Sequence, residues 1–319
     1  MRYYNIVITD PATNKVAANY TSYVNNRTIP GALNIELDIP VFMLATPMGQ
    51  AWIRVWGVSL QEISQSHNLA GMNIEVYAGM KAGLPLANPK QSGLLIRGQI
   101  YQAFGNWVGT DMTLELLVFP NVGTIAAPKN IILDWYAGLP LATALAFTLA
   151  SAFPTYKKFI DINPNLILDY DEKMYLSTLV DLAQWVKQKS ASVIGGNYRG
   201  VNIEISDKTI RVYDSKYTPQ PIKISFQDLI GQPTWIDVPN IQFKCVMRAD
   251  INVGDIITMP PGVYSVTQQS QIGSPFRAKA SFHGKFQVQL ARHTGNFRQP
   301  DAASWVTTYN AYPLEIANG

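Results

Sequence analysis

Cysteine, histidine and charge are scarce in this sequence, and each shortage excludes a class of protein. The one cysteine, Cys245, cannot form a disulfide within the chain or a cysteine-based zinc cluster. The three histidines, His67, His283 and His293, offer little for a metal site. Charged residues make up 15% of the 319 positions, and 25 basic against 22 acidic residues give a net charge of +3. That small excess argues against binding to nucleic acid or to an anionic membrane.

Long apolar runs and common catalytic motifs are missing too. The N-terminus lacks the apolar segment of a signal peptide. The most apolar stretch, residues 139–153, is too short and too rich in Ala and Thr to span a bilayer. No Walker loop, no G-x-G-x-x-G after a strand, no H-E-x-x-H and no G-x-S-x-G occurs. We therefore expect a soluble protein of two or three domains that has no cofactor, no catalytic residues and no membrane insertion of its own.

Alternating apolar and polar residues dominate the first 125 residues. A period of two is typical of strands with one buried and one solvated face. The predicted strands lie at residues 3–9, 15–20, 33–39, 52–56, 72–78, 96–101 and 113–119. Six or seven strands separated by turns predict a barrel or a sandwich.

The middle of the chain has a different pattern. Residues 121–130 form a low-charge linker, and residues 139–153 predict a buried core helix with Pro140 in its first turn. A second helix is predicted over residues 173–189, with Asp171 and Glu172 at its start, where the helix dipole favours acids. Its apolar stripe consists of Met174, Leu176, Leu179, Leu182, Ala183 and Val186. A hairpin over 200–205 and 209–213 completes a small mixed domain.

The last third returns to β structure, with predicted strands at 241–247, 256–259, 282–290, 306–309 and 314–317. The fold class is therefore mainly β with a smaller α/β part. We place the domains at residues 1–125, 126–215 and 216–319. The two outer domains are similar in texture, but they show no exact sequence repeat.

Isolated polar residues offer weak candidates for chemistry. Asp169, Asp171 and Glu172 could form the paired carboxylates of a glycosidase, but acids are also expected at a helix start. Cys245 fits a small buried residue, and His293 fits a local hydrogen bond near a strand end. A sugar-binding module remains an alternative, because tryptophans can stack on glycans. Those tryptophans are Trp52, Trp56, Trp107, Trp235 and Trp305, and most fit core or interface positions.

Three groups of motifs carry a resemblance to a known family. They lie at residues 69–79, 96–100 and 107–114, then 226–235 and 246–255, then 286–288, 293–296 and 304–307. The set resembles the baseplate hub proteins of contractile-tailed bacteriophages, both Mu-like and T-even. The resemblance covers most of the chain in the same order, and DLIGQPTW (228–235) with ADINVGD (249–255) is its most specific part. None of these motifs is catalytic.

The resemblance implies two tail-tube-like β-barrel domains on either side of the mixed domain. Three subunits of such a hub close into a ring that adapts the hexameric tail tube to the trimeric central spike, and the lumen lets DNA pass. The implied partners are a homotrimer, the tube protein, the spike protein and other baseplate proteins. The implied location is the virion tail baseplate, assembled in the host cytoplasm. The chain ends just after a barrel strand, so we expect any wall-degrading activity to belong to a partner.

Contacts with partners are expected at loops, since loops carry most binding. In the mixed domain we select Trp135 and Tyr136, which we expect to be exposed beside the linker. In the last domain we select two loops, Pro260-Pro261-Gly262 and Gly295-Asn296-Phe297-Arg298. The runner-up function is a cell-wall or polysaccharide hydrolase or a glycan-binding tail module.

Overall fold

Strand is the main secondary structure, as the alternating sequence predicts. The computed structural model describes residues 1–43, 49–81, 88–120, 129–196, 198–206, 209–214, 220–237, 240–260, 282 and 284–314. The strands of the first part are β1 (Arg2–Thr9), β2 (Val16–Thr21), β3 (Tyr23–Val24), β4 (Arg27–Thr28), β5 (Asn34–Phe42), β6 (Ala51–Trp56), β7 (Asn73–Met80), β8 (Gly93–Val108) and β9 (Asp111–Pro120). Each predicted strand of this part is confirmed, although the strand predicted at 96–101 extends seven residues further, to Val108.

The remaining strands are β10 (Ile131–Trp135), β11 (Lys157–Asp161), β12 (Glu172–Leu176), β13 (Asn202–Ser206), β14 (Thr209–Tyr213), β15 (Ile222–Lys223), β16 (Thr234–Asp237), β17 (Asn240–Val246), β18 (Ile256–Thr258), β19 (Lys285–Asn296) and β20 (Trp305–Pro313). The helices are α1 (Leu60–Ser64), α2 (Leu141–Ala152) and α3 (Leu179–Ile194). Short 3-10 segments lie at Ser66–Leu69, Pro89–Gln91, Phe226–Asp228 and Ala302–Ser304. No helix among the described residues is long and apolar enough to cross a membrane.

One large sheet contains both outer parts of the chain. Its thirteen strands follow the order β16-β17-β20-β19-β5-β6-β9-β8-β7-β1-β2, with β15 and β18 attached beside β19. The joint is the antiparallel pairing of β19 with β5, from Leu290 opposite Phe42 to Asn296 opposite Glu36. Among the described residues, strand pairing does not close this sheet into a barrel, because β16 and β2 remain its ends.

The two halves of this sheet repeat one topology. In the first half the pairing order is β5-β6-β9-β8-β7, and in the second it is β16-β17-β20-β19-β18. Both long hairpins skip one residue: Tyr101 between β8 and β9, and Gln289 between β19 and β20. A β-bulge of this kind is a specific structural feature of a strand and not an irregularity. Its recurrence at the same place makes the halves structural duplicates, although no exact repeat is visible in the sequence.

Two glycines occupy the same place in the duplicated halves. Gly71 has φ +82° and its N–H donates to the carbonyl oxygen of Ile100 at 2.7 Å. Gly254 has φ +88° and its N–H donates to the carbonyl oxygen of Val288 at 2.8 Å. Left-handed backbone of this kind favours glycine. Their surroundings differ, because a Cβ on Gly71 would meet nothing within 4 Å, whereas a Cβ on Gly254 would lie 2.3 Å from Tyr213 Oη.

Three hydrophobic clusters form the core. The first lies on one face of β1 and β5–β9, and Met247 and Trp305 reach into it from the far half of the chain. The second lies between α2, α3 and the small strands of the middle region. The third lies under β17–β20. The domain boundaries near residues 125 and 215 stay predictions.

The middle region contains one confirmed helix and one wrong boundary. Helix α2 buries Leu141, Leu145 and Leu149, as predicted for a core helix, although Pro140 is its N-cap residue and precedes its first turn. The second helix does not begin at residue 173. Residues 172–176 form β12 against β10, and α3 starts after Thr178, whose hydroxyl accepts a hydrogen bond from the N–H of Asp181 at 3.1 Å.

The predicted stripe is therefore split between two elements. Met174 and Leu176 lie on β12, whereas Leu179, Leu182, Ala183 and Val186 form the buried side of α3. The hairpin of β13 and β14 is confirmed. The linker residues 121–128, the strand residues 315–317 and His283 lie outside the described residues.

We predict that Gly254→Ala destabilises the fold more than Gly71→Ala. Both variants place alanine at positive φ, which costs about 1 kcal/mol. Gly254→Ala also forces a methyl group against Tyr213, and overpacking adds about 1–3 kcal/mol. Urea unfolding of both variants measures the difference. Equal losses would show that the contact with Tyr213 relaxes without cost.

Candidate assembly surface

On the face of the large sheet opposite the core, which we call the polar face, Arg54 and Arg292 are paired with carboxylates. At its centre Arg54 lies 2.9 Å from Glu115 and 3.6 Å from Glu36, measured between guanidinium nitrogens and carboxylate oxygens. Asn106 and Trp52 also donate to Glu115, at 3.1 and 3.0 Å. The Arg54 guanidinium lies between two tryptophan rings, 4.8 Å from the Trp52 centroid and 5.4 Å from the Trp56 centroid.

The same face continues across the joint between the duplicated halves. Arg292 on β19 donates to Asp38 on β5 from Nε at 2.7 Å, and a second nitrogen completes a bidentate pair. Asn296 Nδ2 donates to Glu36 Oε1 at 2.8 Å. Arg54 and Arg292 on this face therefore both face a carboxylate. Alternation along the strands explains the arrangement, because residues two apart share a face.

The segment 295–298 belongs to this joint, and the prediction that it forms a loop is wrong for its first two residues. Gly295 and Asn296 lie in β19, between β5 and β20. A Cβ on Gly295 would lie 2.7 Å from the Trp305 ring. Phe297 packs edge-on against Tyr4 with ring centroids 4.9 Å apart, and Arg298 donates to the carbonyl oxygens of Pro30 and Ala32.

Arg2 fastens the end of the same segment. Its guanidinium donates to the carbonyl oxygens of Asn296 at 2.8 Å and Asp301 at 2.7 Å, and also to that of Gln299. The contacts of residues 295–298 described here lie within the chain. Whether these residues also contact a partner stays a prediction.

For the other residues selected as partner contacts, the structure confirms one exposed side chain and overturns another. Trp135 is completely buried in the second cluster, where its indole N–H donates to the carbonyl oxygen of Leu139 at 2.8 Å, so the prediction of an exposed side chain is wrong. Tyr136 is exposed, as predicted. Pro260 is half-buried at the end of a described segment, and Pro261 and Gly262 lie outside the described residues. A partner contact at Tyr136 and Pro260 stays a prediction.

An ion-pair cluster explains the most specific motif pair, and sequence reasoning missed it. The Arg248 side chain is 3% exposed, donates to both carboxylate oxygens of Asp250 at 2.7 and 2.6 Å, and lies 3.2 Å from Asp228. Burial alone would lower the pKa of the guanidinium, but Asp250 outweighs it and raises that pKa. Gln91 joins the cluster by donating to Asp228 at 3.0 Å. The sequence signal for this cluster was the Arg-x-Asp motif at residues 248–250, directly after the predicted strand 241–247.

His293 and Cys245 are internal to the sheet. His293 is buried in β19, within the joint, and its Nδ1 lies 2.9 Å from Thr307 Oγ1, so the predicted hydrogen bond is made across to β20 and not to a local residue. Desolvation lowers the pKa of this imidazole to about 4. Cys245 is completely buried, as predicted, and burial raises the pKa of its thiol to about 12. A thiol of that pKa is a poor nucleophile at neutral pH.

Two of the three acidic residues considered for catalysis have structural partners, and the expected position of the acids at a helix start is wrong. Asp171 accepts a hydrogen bond from the N–H of Ala137 at 2.8 Å. Glu172 lies in β12 and pairs with Lys189 of α3 at 2.7 Å. Asp169 is exposed. Among the described residues, no group of three His, Cys, Asp or Glu side chains is arranged to hold a metal ion.

Exposed apolar side chains gather at two edges of the sheet. At the tip of the β8–β9 hairpin Trp107 is 62% and Val108 is 74% exposed. On the terminal strand β16 Trp235 is 43% and Ile236 is 45% exposed. Of the five tryptophans considered for sugar binding, Trp305 is buried and Trp52 and Trp56 enclose an arginine. These two edges carry apolar area that a partner strand would bury.

Comparisons with known proteins agree with this fold. The chain matches the crystal structure of the 43 kDa tail protein of prophage MuSo2 from Shewanella oneidensis with a TM-score of 0.55 and 8% identity, covering 98% of this chain and 97% of that one. It matches the tail protein from Neisseria meningitidis MC58 with a TM-score of 0.51 and 10% identity, covering 98% and 96%. No family model matches the chain, and no curated protein matches it in sequence. The predicted resemblance to the phage tail proteins is confirmed at the level of the fold.

We predict that Arg248→Met lowers the free energy of unfolding by about 3 kcal/mol or more, because it leaves two carboxylates facing a site without a cation. The matched control is Arg292→Met. That residue also pairs with an aspartate, but its side chain is 54% exposed, so its loss costs less than about 1 kcal/mol. Urea denaturation compares the two variants. Similar losses would contradict the special role of the buried cluster.

We predict that His293 makes the fold less stable in acid. Its folded pKa of about 4 lies below its ordinary value of 6.5, so the unfolded chain binds the extra proton first as pH falls. Stability is therefore lost between pH 6.5 and 4, by up to about 3 kcal/mol. His293→Asn removes this part of the slope of unfolding free energy against pH. His67→Asn, which alters an exposed histidine, keeps it, and the reverse pattern would refute the assignment.

Proposed function

We propose that this chain is a structural protein of a phage-type contractile tail, the baseplate hub. Three copies form a ring that adapts the hexameric tail tube to the trimeric central spike and leaves a lumen for DNA. Its partners are copies of itself, the tube protein, the spike protein and other baseplate proteins. Its location is the tail baseplate of a virion, after assembly in the host cytoplasm.

The observation that carries this proposal is the fold match along the whole chain. The tail protein of prophage MuSo2 aligns with 98% of the residues, and 97% of that protein is covered in turn. A match of this extent includes the middle region as well as both halves of the sheet. Identity of 8% means that the fold, and not the sequence, supports the assignment.

The internal duplication supports the role of a symmetry adaptor. One chain carries two copies of the strand order, so three chains carry six. A threefold ring of such chains offers a near-sixfold face to a hexamer and keeps threefold symmetry for a trimer. Head-to-tail contacts close into a ring when the rotation between neighbours closes.

The paired polar face suits a DNA passage. Arg54 and Arg292 on this face are held by Glu36, Glu115 and Asp38. DNA binds proteins chiefly through cations that neutralise phosphates. A surface whose arginines already face carboxylates lets DNA slide past without a strong attraction.

We predict that the purified protein forms a trimer of three times 35.4 kDa. Mass photometry and light scattering measure the mass, and negative-stain images of the same peak are expected to show a ring with a central hole. A monomer at every concentration at which the chain stays soluble would contradict the hub. Purified peptidoglycan should remain intact in the presence of the protein.

A further inference from the structure

The joint inside the chain uses one edge of each duplicated half. The second half contributes the outer edge of β19 beyond its skipped residue, from Leu290 to Asn296, and the first half contributes β5. Because the halves share a strand order, each has a second edge of the corresponding kind. The counterpart of the β19 edge is β8 over residues 102–108, and the counterpart of β5 is β16.

Those two counterpart edges are open among the described residues. Over residues 102–108, β8 pairs with β9 on one side, while its pairing with β7 stops at Gln99. Helix α1 covers the core side of β8, since a Cβ on Gly105 would lie 2.6 Å from Ile63, and leaves the edge itself free of a strand. β16 pairs with β17 alone. Six strands separate β8 from β16 within one chain, so a second copy has to supply the partner.

We infer that β8 over residues 102–108 pairs antiparallel with β16 of a second copy of this chain, in the register that β19 and β5 use within one chain. This inference rests on the proposed ring and names the edges that close it. Open strand edges with exposed apolar residues favour pairing with another chain.

The register follows from the duplicated pairings. Leu290 lies opposite Asn310, and Gln102 lies opposite Leu117, each directly after the skipped residue. Asp38 of β5 lies opposite Thr294, four residues after Leu290. In the second half, Thr234 takes the place of Asp38, because Thr234 faces Gln242 as Asp38 faces Trp52. Thr234 of one copy therefore meets Asn106 of the next, four residues after Gln102.

The pairing accounts for the exposed apolar residues of β16. In the register above, Trp235 and Ile236 lie beside Gly105 and Phe104 of the neighbour. Trp235 then lies on the core side together with Gly105, next to Ile63 of α1. Eight strands of each chain, from β16 to β8, then join into one continuous sheet of twenty-four strands around the ring. β2 is the other end of the sheet in one chain, but it has no counterpart in the second half and stays outside this contact.

Cysteine pairing tests the register. We combine Asn106→Cys with Thr234→Cys in the full chain, where the native Cys245 is buried and does not interfere. Residues directly opposite each other have Cβ atoms about 5 Å apart, so oxidation or a short bismaleimide should link chains into dimers and trimers on a denaturing gel. The control combines Gln102→Cys with Thr234→Cys, which lie about 13 Å apart along the strand in this register and should not link.

The outcomes separate the inference from the proposed function. A trimer by mass in which the first pair fails to link, or links no better than the control, overturns the pairing and leaves the hub standing. A chain that stays monomeric overturns both. Linked species larger than three chains would indicate an open filament and overturn the closed ring.

A charge on the edge gives a second, independent readout. Ile236→Lys places an ammonium group on β16, and charged residues on edge strands block pairing. We expect its trimer fraction to fall at least tenfold at matched concentration. Phe226→Lys is the control, because Phe226 is 73% exposed but lies in a 3-10 segment away from the edge. Equal trimer fractions in the two variants would contradict the pairing.

Discussion

The antiparallel pairing of β5 with β19 is the interaction on which the rest of the structure depends. It joins the two halves of the large sheet along seven residue pairs, and the second half then completes the core of the first through Met247 and Trp305. Trp305 also donates its indole N–H to the carbonyl oxygen of Gly79 at 3.0 Å. Without the pairing, these side chains would have no core to enter, and the polar face would be divided at Asp38.

Duplication without identity explains how one architecture serves several purposes. Corresponding buried positions hold different residues, as Val55 and Cys245 show, because a core requires volume and apolar character rather than a given side chain. Corresponding backbone positions are stricter. Gly71 and Gly254 recur because both turns need positive φ. The halves differ at their edges. β5 and the outer edge of β19 pair with each other within the chain, whereas the corresponding edges of β16 and β8 are open among the described residues.

The strands of the outer parts could be predicted because their period of two is local. The boundary at residue 178 could not be, since Met174 and Leu176 continue the spacing of the α3 stripe although they lie in a strand. The Thr178 and Asp181 capping box was the available signal. Trp135 looked exposed because its burial depends on α2, which follows it in the chain. The joint rests on non-local contacts, which no local pattern reveals, and the Arg248 cluster draws Asp228 and Gln91 from distant parts of the chain.

The pairing of β5 with β19 also fixes how long β5 waits for its partner while the chain is being synthesised. Asp38 and Arg292 are 254 residues apart in sequence. Synthesis proceeds at about 5–20 residues per second, so β5 emerges from the ribosome roughly 10–50 seconds before its partner exists. During that interval the backbone N–H and C=O groups at the edge of β5 are unpaired and can pair with other chains. A message truncated before residue 290 would therefore yield a chain that keeps this edge permanently, and such chains are expected to aggregate and be degraded rather than to enter an assembly.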